Sequence, residues 1–252
     1  MRSISRGLIM MSFFSLFAGC DIPDVKLDYK ADPDIVIINI GTGDRAAIAR
    51  MIRIADSCHP AVIGLDAWFQ QAKDGDQDSL LEAAIQQSGK VILTMGLNEY
   101  GQAVHSIDRF RKYAKGEGPA LTIKKTGLAD RFIPIQTISG KEYEHFALQL
   151  LKKWKPGIQF NYKVDEKIKI EFRRDLDRIP NIQGSDWKAS DLDLLIRDKV
   201  VLMGFTGPGN EDKHFTPLRF TGKFKDQGPD TYGVVIIANE IRTLLCKATL
   251  KE

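Results

Sequence analysis

The sequence predicts an α/β fold: a mostly parallel central sheet with helices on both faces, in a single domain. Three observations predict it. Ile35 to Ile40 (IVIINI), Ala61 to Phe69 (AVIGLDAWF), Lys90 to Gly96 (KVILTMG) and Lys199 to Gly204 (KVVLMG) are short and too uniformly apolar for strands with one wet face, so they belong in a sheet covered on both sides. The first three are separated by segments with helical spacing, the unit that links parallel strands. A chain of 252 residues, 43% hydrophobic and 27% charged, can also bury one sizeable core.

The elements follow in order. After the first strand, Gly41-Thr42-Gly43 turns the chain and Asp44 is placed to cap a helix. In RAAIARMIRIADS the apolar Ala47, Ile48, Met51, Ile52 and Ala55 share a face, with Arg45, Arg50, Arg53 and Asp56 opposite, and His59-Pro60 stops the helix. The second strand ends at Asp66. A polar loop leads to Asp78, read as the cap of a helix that runs to about Gln87 and ends at Gly89, and the third strand follows. From Leu97 to Gly140 no period holds, although Arg131 to Ile135 (RFIPI) reads as a short strand and Asp108 to Lys115 as loop or short helix. Glu142 to Trp154 reads as an amphipathic helix, Lys167 to Phe172 as a strand with one wet face, Asp191 to Ile196 as a short helix, and Tyr232 to Ala248 as a closing helix.

The first twenty residues differ in kind. Arg2 and Arg6 precede Leu8 to Gly19 (LIMMSFFSLFAG), which spans ~18 Å as a helix against a hydrocarbon core of ~30 Å, too short to cross a membrane but suited to an export signal. Ala18-Gly19 before Cys20 resembles a lipoprotein cleavage box, although Phe17 stands where an aliphatic residue is usual, so residues 1–20 are expected to be a signal with Cys20 as a lipid-modified end, a plain secretory signal being the alternative, and 21–33 a tether to a domain over 34–252. Of the remaining cysteines, Cys58 and Cys246 either pair or stay as two buried thiols, the second being the plainer expectation. The net charge is +3, from 36 basic and 33 acidic residues without a long basic run, and nothing in it points to nucleic acid.

Several short motifs recur in one order: IVIINIGTGDRAAIARMI, with Asp44-Arg45 after the first strand; AVIGLDAWF, an apolar strand ending in Asp and an aromatic; the Asp78 helix; RFIPI; KVVLMGFTGPGNEDKHFTPL, a glycine-rich turn followed by Asp and Thr-Pro; and YGVVIIANEIRTLL, a helix with Ala-Asn. In that order the chain resembles the second type of CHASE domain, the extracellular sensory module associated with bacterial cyclases and histidine kinases. The likeness extends from about Asp34 to Leu245. Such domains are usually flanked by membrane-spanning helices and a cytoplasmic output domain. This sequence starts with the short signal and ends at Glu252, so the resemblance implies a tethered version without its own output, or a shortened reading frame, with a separate signalling protein as a possible partner.

Ligands of open parallel sheets collect beyond the carboxyl ends of the strands. The candidate ligand-binding residues there are Asp44, Asp66, Gly207, Gly209, Asp212, His214 and Thr216, and the expected partner is a small ligand of unidentified structure, with no cofactor. Each also has a plainer role. Asp44 can simply cap a helix, Asp66 can receive backbone N–H groups, and Gly207 and Gly209 can only shape a turn. His214 has no second histidine or cysteine at metal spacing. Trp68, Trp154 and Trp187 are expected in packing. The alternatives to a sensory domain are a metal-dependent hydrolase using Asp66, Asp212 and His214, and an envelope scaffold without a small ligand.

Overall fold

The computed structural model describes residues 30–73, 75–183, 187–222 and 228–250, so the signal, Cys20 and most of the expected tether lie outside the described residues. Folding begins at Asp32, which is buried. Its carboxylate accepts the N–H groups of Asp34 and Ile35 at 2.9 Å each, and it is clamped by Arg174 and Arg242. The end of the expected tether is thus built into the domain.

The first half alternates as expected: β1 (Ile35–Asn39), α1 (Arg45–Ser57), β2 (Val62–Leu65), α2 (Gly75–Ser88) and β3 (Val91–Leu97). Every residue from Ile35 to Ile38 is buried because alternate side chains enter different cores. Val36 and Ile38 pack with Ile48, Ile52, Leu81 and Ile85 of α1 and α2, whereas Ile35 and Ile37 face the opposite layer. Asp44 caps α1, accepting the Ala47 N–H at 2.8 Å. Asp78, expected to begin α2, instead lies one turn inside it and is fully buried. It pairs with Arg45 and accepts the Lys73 N–H at 3.0 Å, while the Arg45 guanidinium sits 5.2 and 5.4 Å from the ring centres of Phe69 and Phe110. The Asp44-Arg45 motif therefore starts one helix and bolts it to the next.

Then come β4 (Ala103–Val104), α3 (Asp108–Arg111), β5 (Gly116–Pro119), β6 (Thr122–Lys125), β7 (Leu128–Phe132), β8 (Ile135–Ile138), β9 (Lys141–Glu144) and α4 (Phe146–Trp154). The stretch without a period is a chain of hairpins. Thr126-Gly127 joins β6 to β7 and Ser139-Gly140 joins β8 to β9, all four residues having positive φ, the two-residue turn whose twist matches antiparallel strands. Pro134 splits the single strand read in RFIPI, and Glu142 to Glu144, read as the start of a helix, instead belong to β9. The helix begins only after His145, whose Nδ1 accepts the Ala147 N–H.

The last third holds β10 (Ile158–Gln159), β11 (Ile168–Lys169), β12 (Asn181–Ile182), α5 (Ala189–Ile196), β13 (Val200–Gly204), β14 (Lys213–His214), β15 (Thr231–Tyr232), α6 (Gly233–Lys247) and β16 (Thr249–Leu250). The main sheet runs in the order β12, β1, β13, β2, β3, β4, with β5 also on β3, and all its pairings are parallel except β3 with β4. Helices α1, α2 and α5 cover one face; α4 and α6 cover the other. The fold is the single α/β domain expected, with a small antiparallel sheet of β11, β7 and β6 beside it. Both cysteines are free; Cys58 is buried, but Cys246 is exposed in the last turn of α6, so the pair of buried thiols is corrected.

Candidate functional site

Alternation along β2 directs Gly64 and Asp66 toward α4 and α6. A side chain at residue 64 would meet Phe146 and Leu150 within 2.9 Å, so only glycine lets α4 settle on the sheet. Gly204 at the end of β13 does the same for α6, since a Cβ there would stand 2.8 Å from Val234 and 3.5 Å from the Cβ of Asp66. The Asp66 N–H is tied to the Met203 carbonyl at 2.8 Å. Two glycines thus bring the start of α6 down beside Asp66.

Above this point the chain forms a cavity of about 250 Å³. Its sheet side is Asp66; Asp212 and His214 come from the segment after β13; Gly233 and Ile237 come from α6; and Thr122 and Lys124 of β6, with the preceding Ala120 and Leu121, close the far wall. Asp212 sits over the start of α6. Its carbonyl accepts the Gly233 N–H at 3.0 Å, and its carboxylate lies 3.2 Å from where a Cβ on residue 233 would stand.

The electrostatics are unbalanced. Asp66 lies deep in the protein and is reached by solvent only through the cavity; burial, reinforced by the charge of Asp212, pushes its carboxyl up to about 7. Burial likewise raises Asp212, despite the opposing Gly233 N–H. Glu240 stands three residues past Ile237 on α6, about one turn along the same stripe, and is 1% exposed with neither carboxyl oxygen in a formed hydrogen bond. Burial, and then the charge of Asp66, raise it well above the ordinary glutamate value, with Thr122 a weaker opposing influence. Its nearest basic neighbour is His145, whose Nδ1 is 3.8 Å away. Burial lowers His145 to about 4, outweighing the Leu121 backbone, so this imidazole is neutral at physiological pH and cannot serve as a counter-charge. Burial and Lys124 also depress His214, against the opposing charge of Asp230.

The other buried polar groups of α6 are satisfied. Asn239 accepts the N–H groups of Arg173 and Arg174 at 2.9 and 3.2 Å and donates to the Arg174 and Val235 carbonyls at 2.9 Å each, while Thr243 accepts the Glu171 N–H at 2.9 Å. Asn239 of the Ala-Asn motif is therefore a fastener between α6 and the strand-like segment beside it. Glu240, its neighbour in sequence, is not.

Of the seven residues singled out in the sequence, the structure brings three together: Asp66, Asp212 and His214. Asp44 is an exposed cap on the layer of α1, across the sheet. Gly207 and Gly209 shape the turn: the Gly207 carbonyl accepts the Tyr232 hydroxyl at 2.7 Å, and Gly209 has a φ of +98° with the Glu211 carboxylate where a side chain would go. Thr216 is fully buried, its hydroxyl bonded to Asp230 at 2.6 Å and Thr231 at 2.8 Å, and locks the β14–β15 ladder. None of these four lines the cavity. Sequence reasoning missed Glu240, Thr122, Lys124 and His145. Only Glu240 left a signal: an acidic residue inside the run VVIIANEI, which is otherwise apolar apart from Asn239. Among the described residues no group of three or more His, Cys, Asp or Glu side chains is arranged to hold a metal ion.

The domain is thus a doubly covered α/β sheet with a polar cavity at its carboxyl edge. The chain belongs to the CHASE2 domain family, which it matches over residues 27–252. CHASE2 domains are extracellular sensory domains of signalling proteins. No curated protein and no solved structure matches the chain. Among the described residues no helix is long and apolar enough to cross a membrane.

Proposed function

We propose that this chain senses a small ligand in the cell envelope, held to the membrane through a lipid on Cys20, and reports occupancy to a separate signalling protein. It binds without turning the ligand over. The observation that carries the reading is the cavity at the start of α6, where Asp66, Asp212 and Gly233 meet. The same helix runs from that cavity to Arg242, which grips Asp32 and Asp34 where the chain enters the domain. A ligand that favours one seating of α6 under the Asp212 segment shifts the population of that seating, and the Asp32 clamp carries the shift toward the membrane side.

The test is thermal unfolding against a panel of polar small molecules, with the wild-type chain beside a D66A/D212A variant. A compound that stabilises the wild type and not the variant, with both folded alike by circular dichroism, supports the reading; equal stabilisation of both shows that the cavity is not the site. Cys20→Ala is expected to move the protein from the membrane fraction to the soluble fraction. The alternative of metal-dependent hydrolysis through Asp66, Asp212 and His214 has less support, since among the described residues no three such side chains are arranged to hold a metal ion. Turnover of phosphoester or ester substrates with added divalent ions, lost in Asp66 and His214 variants, would establish it instead.

A further inference from the structure

Among the described residues Glu240 is a buried carboxyl with no close hydrogen bond to either oxygen and no cation beside it, the Thr122 hydroxyl being a near but weak donor. Such a group is costly in a folded interior unless it holds a proton or faces a cation that arrives from outside. Its neighbours Asp66 and Thr122 both line the cavity, and Ile237, about one turn before it on α6, forms the cavity wall. The buried acid therefore lies behind Asp66 and Thr122, at the inner wall of a space that a small molecule can fill. A cavity of about 250 Å³ is far larger than a bare metal ion requires, and Ala120, Leu121 and Ile237 give it an apolar flank.

The opposite end differs in sign. Thr122 and Lys124 are alternate residues of β6 facing the same space, about 6.6 Å apart along the strand. Thr122 is the neighbour of Glu240, whereas Lys124, exposed, is the neighbour of His214. One strand thus runs from the acidic inner end to a basic mouth. His145 and His214 are held neutral by burial, so the titratable charges lining the space are Asp66 and Asp212 within and Lys124 at the rim, with Glu240 buried behind Asp66 and Thr122 and Asp230 close to His214.

We propose that the cavity takes a small zwitterion, with its ammonium group seated against Asp66, which Glu240 backs, and its anionic group at the Lys124 mouth. This rests on the ligand-binding reading above and names the ligand's chemistry. Seating the ammonium displaces the protons that the inner carboxyls otherwise hold, so binding releases protons to the buffer.

The experiment is calorimetric titration of the wild-type chain with glycine, 3-aminopropanoate, 4-aminobutanoate and 5-aminopentanoate, each in two buffers of different ionisation enthalpy. n-Butylammonium, butanoate and magnesium chloride serve as single-charge controls. The expected result is that at least one amino acid of the series binds with proton release. E240Q and D66N should each weaken it about thirtyfold or more and remove the proton release, as expected for loss of a buried charge partner. K124A should weaken the zwitterion while leaving n-butylammonium unchanged. E240Q keeps the shape of a protonated glutamate and D66N supplies a second variant, so a folding defect in one leaves the other to decide. Binding by none of the four zwitterions, equal binding by E240Q and D66N, or binding by magnesium alone overturns the proposal. An uncharged or purely anionic compound that stabilises the wild type but not D66A/D212A also overturns it, while leaving the ligand-binding reading intact.

Discussion

Replacing Asp66 by asparagine should stabilise the folded domain, and only above a definite pH. A carboxyl raised on folding holds its proton more tightly folded than unfolded; its contribution is therefore fully present below the unfolded value and is lost as the pH rises through the folded one. For Asp66 that window runs from 3.8 to about 7. At about 1.4 kcal/mol per pH unit the full loss is at most about 4 kcal/mol, and contact with solvent through the cavity lowers the expected figure to about 2–3. Asparagine cannot ionise and does not incur this loss. D66N should match the wild type near about pH 4, gain stability as the pH rises, and level off about 2–3 kcal/mol ahead above about pH 7.5. Glu240 and Asp212 are raised as well and act with the same sign, whereas His145 and His214 are lowered and act oppositely. All four are present in both proteins, so the difference between variant and wild type reports chiefly on residue 66. Urea unfolding followed by circular dichroism at about pH 4, 6 and 8.5 reads it directly. A D66N protein that is no more stable than wild type at about pH 8.5, or a difference that does not change with pH, would refute the claim that burial of this carboxyl dominates the cavity.

The remaining predictions concern the frame. Asp78→Ala should cost about 3 kcal/mol in urea unfolding, because it leaves the buried Arg45 charge without its partner, and Arg45→Ala should cost less, because Arg109 stays 3.6 Å from Asp78; neither should change ligand affinity, since the pair lies on the α1 and α2 side. Gly64→Val should lower stability by about 1–3 kcal/mol by forcing α4 off the sheet, and a smaller cost would mean that Phe146 and Leu150 repack easily. Asn239→Leu should cost about 2 kcal/mol by leaving the Arg173 and Arg174 N–H groups without their acceptor, and hydrogen exchange of those two amides should accelerate.

Much of the frame was legible in the residues. The runs IVIINI and KVVLMG can be buried along their whole length only in a sheet covered on both faces, and the structure places them side by side as β1 and β13. The hairpins between Thr122 and Glu144 were not legible, because their signal is two turn pairs, Thr126-Gly127 and Ser139-Gly140, rather than a period. Glu142 to Trp154 misled for a related reason: strand β9 runs into helix α4 with only His145 between them, so one apolar pattern spans both. The site divided in the same way. Asp66, Asp212 and His214 stand where strands and loops deliver them, but Glu240 and Lys124 reach the cavity by folding from elements far apart in sequence.

By itself the sequence determined the fold class and the two covered faces of the sheet, because burial, periodicity and turn chemistry act over short stretches of chain. Only the tertiary structure decided which acids share a cavity. That depended on Gly64 and Gly204 letting two helices approach the sheet, on a β-hairpin closing the far wall, and on Glu240 being buried beside Asp66 with no cation next to it. Those are facts of distance between remote residues, and the strength of a buried charge depends on distance and on the exclusion of water, neither of which is written in local order.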